Sequence, residues 1–65
     1  MPPNSRDTQR EVYFEFRPVG AVVKVSAIDA ATGIEVSVMG PASAMQADLE
    51  RLAWRKLTAR LAREG

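Results

Sequence analysis

At 65 residues the chain is too short for two ordinary domains, and a domain this small buries only about 60% of the surface its unfolded form exposes. Hydrophobic residues at 46% and charged residues at 26% make a globular balance, and the lack of cysteine and histidine removes disulfides, thiol nucleophiles, iron–sulfur ligation and imidazole metal ligands. A net charge of +1 is too near neutral to attract a polyanion broadly, which disfavours nucleic acid as a partner.

The first residues, Met1-Pro2-Pro3-Asn4-Ser5-Arg6-Asp7-Thr8-Gln9-Arg10, offer almost nothing to bury. Residues 1–10 are therefore expected to be a disordered N-terminal tail, with a single domain over residues 11–65. No apolar signal-peptide core is present, and no stretch approaches the roughly 18 apolar residues of a membrane span. Together with the missing cysteines, this leads us to expect a cytoplasmic protein with no membrane contact.

From Glu11 to Arg17 the residues alternate, with Val12, Phe14 and Phe16 on one face and Tyr13, Glu15 and Arg17 on the other, which predicts a half-buried strand. Arg17-Pro18-Val19-Gly20 reads as a reversal, because Pro18 presets the φ of a turn and Gly20 tolerates a positive one. A second strand follows over Ala21–Asp29, with Val23, Val25 and Ala27 on one side and Val22, Lys24, Ser26 and Ile28 on the other. Asp29-Ala30-Ala31-Thr32-Gly33 is a hairpin loop by its chemistry: the carboxylate bonds the backbone ahead of it and Gly33 takes a left-handed conformation. The third strand, Ile34–Met39, places Ile34, Val36 and Val38 opposite Glu35, Ser37 and Met39.

Gly40-Pro41 closes the sheet, and Ser43 with Gln46 three residues later fits a capping box. From Ala44 to Glu64 no proline or glycine interrupts a run of good helix formers. Asp48 and Glu50 in its first half and Arg55, Lys56, Arg60 and Arg63 in its second complement the helix dipole. The predicted fold is α+β: a three-stranded antiparallel meander packed by one long C-terminal helix, β-β-β-α. Met45, Leu49, Leu52 and Ala53 are the expected core stripe of the helix.

Trp54, Leu57 and Leu61 do not continue that stripe, and a helix of this length is expected to overhang so small a sheet. They are the candidate protein interface, for a second copy in a homodimer or for another protein. The competing expectation is that sheet twist and the first hairpin loop, through Val19, bury the same three residues within one chain. A second candidate surface is nucleic-acid binding, with Tyr13, Arg17 and Lys24 on the outer sheet face or Arg51, Arg55, Arg60 and Arg63 on the basic helix end. One tyrosine is a thin stacking platform, and Glu15 and Glu35 put negative charge on that face.

Catalysis has no evident apparatus. The carboxylates are scattered with no close pair, and Asp48 and Glu50 diverge by about 200° round a helix. The glycines fall one per turn rather than in a phosphate-cradling run, and no serine or threonine has a histidine to activate it. We therefore expect no enzyme, no catalytic residue, no metal and no cofactor. The segments Glu11-Val12-Tyr13-Phe14-Glu15-Phe16, Ile28-Asp29-Ala30-Ala31-Thr32-Gly33-Ile34-Glu35-Val36 and Leu52-Ala53-Trp54-Arg55-Lys56-Leu57 resemble a family of short uncharacterised alphaproteobacterial proteins, over Glu11 to Arg63. That resemblance implies a bacterial, cytoplasmic, stand-alone domain and brings no activity, ligand or catalytic residue with it.

Overall fold

The alternation begun at Val12 does form a strand, and it runs further than expected. In the computed structural model, which describes residues 11–64, β1 spans Val12–Val19, β2 Val22–Asp29 and β3 Glu35–Pro41, and the helix α1 spans Gln46–Glu64. The tail expected over residues 1–10 lies outside the described residues. The strands pair antiparallel in the order β1-β2-β3, so the fold is the expected α+β meander with a C-terminal helix.

Pro18 does not turn the chain; it lies inside β1, opposite Val23. The reversal is the two-residue loop Gly20-Ala21, with Val19 facing Val22 and a φ of 61° at Gly20 alone, the pattern of a type II′ turn. Ladder parity explains why proline is tolerated. The Ala30 N–H donates to the Glu11 carbonyl at 3.0 Å. Because antiparallel bonds alternate, the odd residues of β1 bond β2, and Val12, Phe14, Phe16 and Pro18 turn their backbone outward to the open edge. There the missing N–H costs no bond within the sheet.

The second loop follows its chemistry. Asp29 is fully buried, and its Oδ2 accepts from the Thr32 N–H at 3.2 Å and the Thr32 hydroxyl at 2.7 Å. The Gly33 N–H donates to the Asp29 carbonyl at 2.7 Å, and Gly33 has the expected positive φ of 77°.

A short connection over residues 42–45 sends α1 back antiparallel to β3. Leu49 lies against Gly40, and further along α1 the Lys56 ammonium donates to the Ser37 carbonyl at 2.8 Å. The expected capping box does not define the helix start. The Met45 carbonyl accepts from Asp48 and Leu49, which makes Met45 the capping position, and Ser43 lies two residues earlier, inside a turn closed by the Ala44 N–H on the Pro41 carbonyl.

The core is Val25, Ala27 and Val36 from the sheet and Leu49, Ala53 and Leu57 from the helix. Met45 and Leu52 were expected in this stripe, yet they remain 69% and 47% exposed. Residues four apart drift about 40° round a helix, so the row Leu49–Ala53–Leu57 slants across the sheet and leaves Met45 and Leu52 on the flank beside β3.

Candidate interaction surface

One helix cannot roof three strands. Its body is about 10 Å wide and strands lie about 4.8 Å apart, so it covers about two of them. Here α1 packs on β2 and β3 and makes no comparable contact with β1. The inward side chains of β1, Val12, Phe14 and Phe16, consequently touch the core from one side only and stay half-buried.

Facing them is the opposite flank of α1. Trp54 keeps 40% of its surface exposed, and Phe14, Ala47, Glu50, Arg51 and Trp54 line an open channel of about 390 Å³ between helix and strand. Arg51 at its rim pairs with Asp48 at 3.2 Å, with both side chains largely in solvent, so the pair adds little stability. Large aromatics in a groove with a polar rim form the kind of surface on which another protein's side chains lose water and gain contact.

Of the three residues expected to form a protein interface, the structure separates one from the other two. Leu57 is wholly buried under the helix, four residues after Ala53, and belongs to the monomer's core. Leu61 is half-buried against that core, and Trp54 is the exposed member. The first hairpin does not wrap the end of the helix. The antiparallel return puts it beside the helix start, and Val19 lies 53% exposed on the outer face. Ile34, at the second hairpin, packs against the core as Leu61 does. The residues that sequence reasoning missed are Phe14 and Phe16, taken only as core; the width of one helix against three strands was the signal for them.

The outer face of the sheet holds a shallow concavity of about 330 Å³ lined by Glu15, Phe16, Arg17, Lys24, Ser26 and Glu35. Ser26 is buried there and bonds the Ser37 hydroxyl across the strands at 3.1 Å. Tyr13, Arg17 and Lys24 lie on this face, with Glu15 between the first two along the strand. Arg51, Arg55, Arg60 and Arg63 belong to α1, on the other side of the sheet, and Arg60 is paired with Glu64 at 2.9 Å. The structure therefore divides these seven residues between two opposite faces.

Among the described residues no group of three or more carboxylates is placed to hold a metal ion, and no helix is long and apolar enough to cross a membrane. No curated protein and no solved structure matches the chain. Over residues 9–64 it does match a described family, and the chain belongs to it: a domain of unknown function, DUF6898.

Proposed function

We propose that the protein is a small, non-enzymatic interaction module that self-associates or docks on a protein partner through the channel between β1 and α1, with Trp54 as anchor. One observation carries this reading: α1 roofs β2 and β3 and leaves the aromatic inner face of β1 half-covered beside an exposed tryptophan. Exposed aromatic surface in a groove costs solubility unless something covers it, and tryptophan is a frequent interface anchor. The scattered carboxylates and the absence of histidine and cysteine support a role without catalysis. We further propose that the module works in the cytoplasm of an alphaproteobacterium, supported by the lack of cysteine and by the three resembling segments.

A photocrosslinking phenylalanine analogue at position 54, in living cells, tests the reading against the same analogue at position 55 on the solvent side. We expect one discrete protein adduct from position 54 and none from position 55. No adduct from position 54 would remove the channel as a docking surface.

A further inference from the structure

The two edges of the sheet are treated differently. Along β3 the outward Ser37 carbonyl is taken by the Lys56 ammonium at 2.8 Å. Along β1 the outward backbone groups of Val12, Phe14 and Phe16 meet no strand among the described residues, and the half-covered phenylalanine side chains belong to the same three-residue set. An open edge and an uncovered inner face thus coincide on one strand.

We infer that β1 pairs antiparallel with β1 of a second copy, in the register that sets Phe14 opposite Phe14 and Glu11 opposite Arg17, making a continuous six-stranded sheet with both helices on one face. The inference rests on the reading of the β1–α1 channel as a docking surface and names its occupant.

Charge and proline select this register. Two β1 strands related by a two-fold axis keep Phe14 and Phe16 on the helix side only in registers where even residues face even ones. With Phe14 opposite Phe14, the stretch Glu11–Arg17 pairs with itself, about six ladder bonds form from the outward groups of Val12, Phe14 and Phe16, and Pro18 falls just beyond the paired stretch. On the outer face, Glu11 then lies opposite Arg17 of the partner and Glu15 opposite Tyr13 of the partner. Neither Glu11 nor Arg17 has an ion pair among the described residues, and both are exposed. A shift that sets Phe14 against Phe16 places Glu15 directly opposite Glu15, a repulsive cross-strand pair, and wastes a bond on Pro18. A further shift the same way, with Phe16 opposite Phe16, sets Phe14 against Pro18 and loses its bond there. A shift in the other direction, with Tyr13 opposite Tyr13, brings Glu11 against Glu15.

The dimensions agree. With each helix centred over β2 and β3, the two axes lie about four strand spacings apart, or about 19 Å, and the helix bodies leave a trough about 9 Å wide over the paired β1 strands. Small side chains would leave that trough hollow. The residues that border it are Phe14, Phe16 and Trp54 from each copy, the bulkiest apolar side chains of the protein.

Light scattering on the untagged full-length protein, from micromolar to millimolar concentration, tests the pairing together with reversal of the predicted charge pair. We expect a mass twice the 7.1 kDa of the chain. Glu11→Arg alone and Arg17→Glu alone should each weaken the dimer about tenfold or more, and the double reversal should restore it. Both sites are exposed on the outer face, and circular dichroism checks each variant for retained fold. As a second route, the Glu11→Cys/Arg17→Cys variant, made in a chain with no other cysteine, should oxidise to a covalent dimer. A 7.1 kDa species at every concentration, a dimer indifferent to both reversals, or failure of the cysteine pair to crosslink would each overturn the inference. If position 54 nevertheless crosslinks to a protein of another mass, the docking surface stands and the second copy does not.

Discussion

At Gly40 an added β-carbon would stand 2.5 Å from Leu49 Cδ2 and 3.3 Å from Cδ1. Leu49 is buried at the edge of the core, so its side chain has little room to swing away. Gly40→Ala should therefore cost about 1–2 kcal/mol by overpacking. Leu49→Ala should itself cost about 2–3 kcal/mol, and the double variant should lose less than the sum, because the new methyl fills space that the leucine vacates. Urea denaturation of the four proteins reads this coupling directly; strict additivity would mean that the close approach carries no stability. Asp29 represents the opposite case of a tight fit: a buried carboxylate kept affordable by bonds to the loop that it closes, which is why Thr32 and Gly33 follow it at those spacings.

Among the elements, α1 contributes Leu49, Ala53 and Leu57 to the core and leaves Leu52 in solvent. Leu57→Ala should cost about 3 kcal/mol or more, enough to threaten a domain this small, whereas Leu52→Ala should cost under about 1 kcal/mol. Thermal melts of the pair, followed at the helix signal, distinguish them; equal losses would contradict the slant of the helix. The strands were legible because period-2 patterning reports which residues share a face whatever the sheet's order, and the helix because nothing in residues 46–64 interrupts it. The helix's buried side was not: Leu52 and Leu57 are equally apolar, and only the crossing of α1 over β2 and β3 decides between them. Pro18 misled for a related reason. Its turn propensity is real, but an edge strand facing outward tolerates proline, and edge position is a property of the assembled sheet. The division of the two sets of basic residues between opposite faces likewise appears only once the helix is docked.

For the molecule as a whole, the described residues include six well-buried apolar side chains, Val25, Ala27, Val36, Leu49, Ala53 and Leu57. That core is thin, and no disulfide reinforces it. Burying Phe14, Phe16 and Trp54 against a second copy would enlarge it by three bulky aromatic side chains that the monomer leaves only partly covered. The bond from Lys56 to Ser37 then acquires a meaning beyond one donor and one acceptor. With β1 paired as inferred, it would give each copy a valence of one: growth would proceed across β1 and be opposed at β3, where the Ser37 carbonyl is already taken. Lys56→Ala should raise that valence to two and turn a species of defined mass into a distribution of longer ones, visible as mass that climbs with concentration and as thioflavin binding. A variant that keeps the wild-type mass would assign the stop to some other feature of β3. On the inferred pairing the lysine would be a terminator of polymerisation, one side chain of α1 deciding where the sheet ends.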